Sequence, residues 1–229
     1  MVASLTPRPA GRPKVPRAVR ERQMLAVAER AFAEQGFHAA SVDAIAAGAG
    51  ISKPMVYAYF GSKEGLFRGC MELARARLFD AINAGADAGA APDEQLWLGV
   101  LAFFTFVEEQ RDSAIILFGE AAHGPFAEDS ARIRQDIARL VSQLLFEAAS
   151  AEGAVPSGLE FTEPLAHALI GAGESLARWW REHPEHPKEA VARLLMNFAW
   201  MGFGGLVRGQ RWARPQAGDD ASSVASRPL

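Results

Sequence analysis

One cysteine, Cys70, stands in 229 residues, so no disulfide can close within the chain and a reducing, cytoplasmic setting is expected. No apolar run reaches the roughly 18 residues of a membrane span. The longest candidate, "LWLGVLAFFTFV" (96–107), suits a buried core helix, and no membrane partner is expected. The first residues are rich in Pro and Arg without an apolar stretch, which argues against a secretory signal. Strand-type alternation bounded by hairpin turns is missing. Also missing is any Ser/His/Asp set or carboxylate pair at a reactive spacing, so no catalytic residue and no cofactor is expected. "GAGESL" (171–176) begins like a dinucleotide fingerprint but lacks the third glycine and a preceding strand. His183 and His186 in "HPEHP" have metal-ligand spacing, yet between two prolines they read as an interhelix turn, and no metal is expected. Cys70, at helical spacing from Leu66 and Phe67, reads as a small buried hydrophobe.

What is present is ordinary globular composition, 49% hydrophobic and 22% charged, with chain enough for a large core. The net charge of −3 hides an asymmetry. Residues 1–68 hold ten Lys/Arg against five Asp/Glu, and the remainder fourteen against twenty-two. A small basic unit ahead of a larger acidic one implies that only the first meets a polyanion.

The chain reads as helix throughout, an all-α fold. Pro7, Pro9, Pro13 and Pro16 with Arg8, Arg12 and Lys14 make residues 1–16 a disordered basic arm, and 213–229 a disordered tail. A first helix near 17–35 sets Leu25, Ala28 and Phe32 at helical spacing, with Gly36 as its stop. Ser41 caps a short helix carrying Val42 and Ile45, Gly48 to Gly50 turn the chain, and Ser52 opens a second short helix, 53–60. Ser62 caps a longer one with Leu66, Phe67 and Cys70 inward. Five further helices are expected near 93–111, 113–121, 127–150, 163–182 and 188–208, separated by Gly- and Pro-bearing turns. The domains follow as 17–62, a three-helix helix-turn-helix head, and 63–212, a larger helical bundle.

Two short helices joined by a Gly-containing turn form a helix-turn-helix, whose second helix enters the DNA major groove. In 53–60, Val56 and Phe60 share one face and would pack on Val42, Ile45 and Phe32. Lys53, Pro54, Met55, Tyr57, Ala58 and Tyr59 take the rest of the surface. Small Ala58 admits base edges, Lys53 can donate to guanine or phosphate, and Met55 can meet a thymine methyl. Tyrosine hydroxyls fix register on phosphates. Pro54 is tolerated in a first turn, whose N–H groups have no intrahelical partner. Spacing alone also allows Met55, Tyr57 and Tyr59 to be bundle core. Arg8, Arg12, Lys14, Arg17 and Arg20, a basic run leading into the first helix, can follow the minor groove or simply be a solvated tail.

The stretch "GFHAASVDAIAAGAGISKPMVYAYFGSKEGLF" (36–67) resembles the DNA-binding signature of the tetracycline-repressor (TetR) family, through Gly36-Phe37, Ser41-Val42, Ile45-Ala46, Ala49-Gly50-Ile51-Ser52, Val56-Tyr57, Tyr59-Phe60 and Ser62-Lys63. The resemblance implies that Tyr57 and Lys63 grip the phosphate backbone and that Ser41 meets phosphate. It implies that Lys53, Pro54, Met55, Ala58 and Tyr59 choose the operator; Ser52, Arg12 and Arg17 complete the expected DNA contacts. Gly48 and Gly65 depart from the pattern, standing where better helix formers are frequent. The resemblance further implies a C-terminal domain that binds a small-molecule effector and dimerises through its last helices.

Aromatic residues concentrate behind the head, and helix 93–111 is apolar nearly all round between 96 and 107, as a helix bordering both core and cavity would be. Trp97, Leu101, Phe104, Phe118, Phe126, Leu144 and Trp179 are the expected effector contacts. "AFFTFVEE" (102–109) is reminiscent of members that answer to fatty-acyl ligands. "LAHALIGAGESLARWW" (165–180) and "AVARLLMNFAWMGFGGLV" (190–207) are too apolar for solvent, with Leu169, Leu176, Leu195, Phe198 and Gly202 the expected interface of a homodimer. A two-fold dimer calls for double-stranded DNA with a palindromic operator. The expected function is a ligand-responsive transcriptional regulator, a repressor and not an enzyme. The rivals are a helical-bundle enzyme or carrier with a TetR-like head, and a ligand-independent architectural DNA binder.

Overall fold

A computed structural model describes residues 16–89, 91–119, 124–151 and 159–207. Among these the regular structure is helical: α1 (Arg17–Ala39), α2 (Val42–Gly48), α3 (Lys53–Phe60), α4 (Lys63–Asp87), α5 (Pro92–Glu109), α6 (Arg111–Phe118), α7 (Ala127–Ala151), α8 (Leu159–Glu182) and α9 (Lys188–Val207). Arg12 and the rest of the arm, like the tail beyond 207, lie outside the described residues. The chain forms two compact units, one drawn from 1–83 and 102–136, the other from 84–101 and 137–229.

In the first unit, local chemistry fixes the helix ends. Ser41 accepts a 3.4 Å hydrogen bond from the Ala44 N–H and starts α2. Ser62 accepts one of 3.0 Å from the Gly65 N–H and starts α4. Glu64 strengthens that start: its own backbone N–H and the Ser62 hydroxyl hold its carboxyl below the usual carboxylate range. Gly36 breaks α1 with φ 77° and ψ 164°, a conformation open to glycine alone. Gly65 is required for a different reason. A Cβ there would collide with the Phe60 carbonyl oxygen, so the glycine expected to weaken the helix is what lets α4 leave α3 so tightly.

Phe32, Phe37, Phe67 and Phe126 build the aromatic centre of this unit. Ring centroids lie 5.1 Å apart for Phe32–Phe67, 5.3 Å for Phe37–Phe67, 4.8 Å for Phe37–Phe126 and 4.4 Å for Phe67–Phe126. Each such pair contributes about 0.5–1.5 kcal/mol beyond area burial. Phe126, an expected effector contact, is fully enclosed here, and its packing is accounted for without a ligand. Phe67 and Cys70 on α4 pack with Phe32 and the Leu25 carbonyl on α1.

Polar contacts are placed on top of that packing. Glu29 on α1 is 5% exposed, and Arg77 Nη1 on α4 donates to both of its oxygens, at 3.0 and 2.8 Å, and to Ser113 Oγ on α6 at 2.9 Å. The Ser113 hydroxyl in turn donates to Glu29. Three helices thus meet at one buried carboxylate. On the surface, Arg68–Asp129, Arg132–Glu72 and Arg75–Asp136 link α4 to α7 in a ladder of ion pairs, with Arg132–Asp129 bracing it within α7, each worth little alone. Cys70 is buried with its thiol on the Leu25 carbonyl; burial and the neighbouring Glu29 push its pKa up, so it is a packed side chain and not a nucleophile.

In the second unit, α8 and α9 pack on each other. Ala166, Leu169, Ala177 and Trp180 of α8 and Val191, Ala192, Leu195 and Ala199 of α9 are buried. The buried hydroxyls of Ser142 on α7 and Thr162 on α8 share a 2.7 Å hydrogen bond. The "HPEHP" turn closes the hairpin. Trp180 Nε1 donates to the His186 carbonyl at 2.8 Å, and the Trp179 ring stacks on His183 with centroids 4.4 Å apart.

Candidate nucleic-acid interface

α3 is held to the head by one side chain above the others. Val56 has no exposed surface, α3 packs on α2, and Val42, Ile45 and Phe32 are likewise buried. Phe60 is half-buried and lies over Gly69, where a Cβ would come within 3.3 Å of its ring. With that face occupied, Pro54, Tyr57 and Ala58 are exposed and Lys53, Met55 and Tyr59 half-exposed. Tyr57, at 38% exposure, is no core residue. Ser41 and Ser52 are exposed at the starts of α2 and α3; the Ser52 side chain makes no capping bond.

Neighbours set the orientation of four of these side chains. Lys53 Nζ donates to Asp43 Oδ2 at 2.8 Å. This bond and the carboxylate's charge raise the Lys53 pKa, so the ammonium stays protonated. Arg20 Nη1 reaches Met55 Sδ at 3.4 Å. The Arg17 guanidinium lies 4.9 Å from the centre of the Tyr59 ring, a cation–π arrangement. Lys63 Nζ donates to the His38 carbonyl at 3.0 Å and stands 4.9 Å over the Phe37 ring.

Two of these partners, Arg20 and Asp43, were not among the expected contacts, whereas Arg17 was. Arg17 and Arg20 belong to the start of α1, which borders α3 directly. Asp43 carries the charge opposite to that of a phosphate contact, so nothing in the local sequence marks it. The i to i+10 spacing of Asp43 and Lys53 has no meaning in one helix. It acquires one only when a tight turn folds α3 back beside α2.

The candidate effector contacts are drawn from both units. Phe104 and Phe118 belong to the first unit, Phe104 fully buried and Phe118 half-buried against Phe103. Trp97, Leu101 and Leu144 are half-buried in the second, Trp97 lying beneath the Arg193 guanidinium at 5.8 Å. Trp179 is 38% exposed on α8.

The dimer candidates divide as well. Leu169 and Leu195 are buried between α8 and α9 within one chain, and Leu176 is half-buried. Phe198 is 67% exposed, Gly202 is exposed, and the same stripe of α9 carries Leu194 at 59% and Met201 at 80%. One residue is about 100° of helix, so the solvent-facing apolar stripe runs through Leu194 and not Leu195. Among the described residues, a Cβ at Gly171 or Gly202 would meet nothing within 4 Å.

Comparison with known proteins gives this geometry its family. Residues 24–70 match the family model "Bacterial regulatory proteins, tetR family", and residues 92–202 match "Tetracyclin repressor-like, C-terminal domain". A TetR-like transcriptional regulator from Rhodococcus sp. RHA1 is 38% identical, with a TM-score of 0.68 over 84% of this chain and 100% of that one. The HTH-type transcriptional activator FasR of Mycolicibacterium smegmatis is 28% identical over 193 residues, 82% of this chain and 85% of its own length. The fold is shared with the transcriptional regulator FadR from Bacillus subtilis in complex with stearoyl-CoA, at 18% identity and TM-score 0.69 over 78% of this chain and 96% of that one. The chain belongs to the tetR family: it is a helix-turn-helix, DNA-binding transcription regulator with a tetracycline-repressor-like C-terminal domain. No described helix is long and apolar enough to cross a membrane.

Proposed function

We propose that the protein acts as a homodimer on a palindromic operator and releases it when an apolar, acyl-bearing effector binds. The observation that carries the dimer is the unpartnered stripe Leu194, Phe198 and Met201 on α9, flanked by Gly202. Large apolar side chains with well over half their surface in water favour a second apolar face, and a two-fold contact matches the stripe with itself. Two heads related in this way read two half-sites about 34–36 Å apart, one turn of DNA. Tyr57, Lys63 and Ser41 hold phosphates; Lys53, Pro54, Met55, Ala58 and Tyr59 face base edges, with Ser52 and Arg17 at the margins.

The acyl reading is supported by the apolar half-buried residues Trp97, Leu101 and Leu144, and by the fold shared with a regulator solved with stearoyl-CoA. An effector that prefers one spacing of the heads shifts DNA affinity by that preference. Repression is the proposed sign, because a dimer seated on a palindrome occludes what it covers; the relative named as an activator makes activation the explicit alternative.

Selection of bound duplexes from a random pool tests the reading. A palindromic winner is expected, and Met55→Ala is expected to change which duplexes win. The winner then serves to titrate long-chain acyl-CoA, whose failure to alter binding at saturating concentration removes the acyl effector from the proposal. A reporter carrying the winner gives the sign of regulation.

A further inference from the structure

The two helices that meet the groove, residues 41–60, contain one acidic and one basic side chain, Asp43 and Lys53, and these are bonded to each other at 2.8 Å. The helix-turn-helix itself is therefore neutral. Attraction to phosphate has to come from cations around it, Arg17, Arg20 and Lys63 among the described residues, and from helix N-termini. Asp43 is well exposed, its side chain at 69%, and no buried role requires a carboxylate there. Ser41 already caps α2. A carboxylate facing a polyanion is unfavourable unless it is compensated or finds a donor, and in the major groove the donors are the exocyclic amines of cytosine and adenine.

We propose that Asp43 is a specificity-determining residue of the operator interface: it holds Lys53 as a neutral donor–acceptor pair that reads a C·G step in each half-site and keeps Lys53 from gripping phosphate indiscriminately. Lys53 keeps donor hydrogens for guanine O6 and N7 while one goes to Asp43, because an ammonium has three. The second Asp43 oxygen can accept from cytosine N4–H, whereas guanine O6 or thymine O4 in that place would face it acceptor to acceptor. The carboxylate thus contributes chiefly by excluding wrong bases and bare backbone.

This rests on the reading of α3 as the recognition helix, and its signature is opposite to that of an ordinary contact. Asp43→Asn should raise affinity for arbitrary duplex several-fold instead of lowering it. It should steepen the log K against log salt slope by about 0.9 for each head in contact with DNA, as one more cation is released to phosphate. Pool selection with Asp43→Asn should lose the cytosine preference at one position per half-site while retaining the rest of the palindrome. Asp43→Ser, which keeps a residue type suited to a helix start, should give the same shift if charge is the cause. In a Lys53→Met background the change in salt slope should vanish, since no freed ammonium is left to take a phosphate, with thermal melts confirming that each variant is folded.

If the unaltered protein enriches no duplex, the DNA reading falls and this inference with it. If it enriches one, but Asp43→Asn enriches the same duplex with the same salt slope, or binds every duplex more weakly, the inference alone is overturned. Persistence of the steeper salt slope in Asp43→Asn without Lys53 also overturns it.

Discussion

The recognition surface of α2 and α3 and the outer face of α9 are both exposed, yet they are built by opposite means. On the recognition surface, Lys53, Met55, Tyr59 and Lys63 each have a partner in the head: Asp43, Arg20, Arg17 and the His38 carbonyl. On α9, Leu194, Phe198 and Met201 project into water. A surface that reads DNA gains from side chains oriented in advance, because fewer rotamers have to be ordered on binding. A surface that buries itself against another apolar face needs only area and shape. The difference fits the proposal that one face discriminates and the other adheres.

The contrast can be broken most severely from within the head. Val56→Asp puts a charge into a site with no exposed surface, at a cost of several kcal/mol. Operator binding should disappear and denaturant unfolding shift far down, while sedimentation still reports a dimer. Loss of the dimer as well would mean that the two faces are not independent. Arg77→Leu should come next. It leaves the buried Glu29 carboxylate without its cation; the full cost of breaking a buried pair is about 3–5 kcal/mol, and about 2–3 is expected here because Arg77 is partly solvated. Thermal unfolding measures it, and a change below about 0.5 kcal/mol would show that the Ser113 hydroxyl alone satisfies Glu29.

Phe198→Asp addresses the adhesive face. At 67% exposure it should change monomer stability by less than about 0.5 kcal/mol. It should nevertheless convert dimer to monomer in sedimentation and weaken operator binding, as two half-sites become separate events. A dimer that survives would place the interface elsewhere. The smallest effect is expected from Lys63→Ala. Binding should weaken alike for all duplexes and the salt slope should shallow by about 0.9 per head, without a change in the preferred sequence. A changed preference would make Lys63 a reader of bases.

Much of the head was legible in one dimension. Its elements are short, and their signals are local: Ser41 and Ser62 as caps, Gly36 as a break, Val56 and Phe60 four residues apart. The helix 53–60 was placed to the residue because Ser52-Lys-Pro at one end and Gly61 at the other leave little choice. Beyond the head, helix positions were read within a few residues, but side-chain faces were not. Leu194 and Leu195 are adjacent and equally apolar, and only the packing of α8 on α9 decides which is buried. Phe126 looked like its neighbours in an aromatic-rich stretch until Phe37 and Phe67 were found around it.

The sequence by itself determined that the chain is helical, where its helices begin and stop, and that a signature of DNA recognition lies between residues 36 and 67, because capping, periodicity and turn chemistry act over a few residues. Only the tertiary structure decided that Asp43 meets Lys53, that Arg20 meets Met55, that Glu29, Arg77 and Ser113 share one buried site, and that Gly65 is indispensable. Those contacts join residues that are neighbours in space and not in sequence, and charge pairing, burial and collision depend on distance in space.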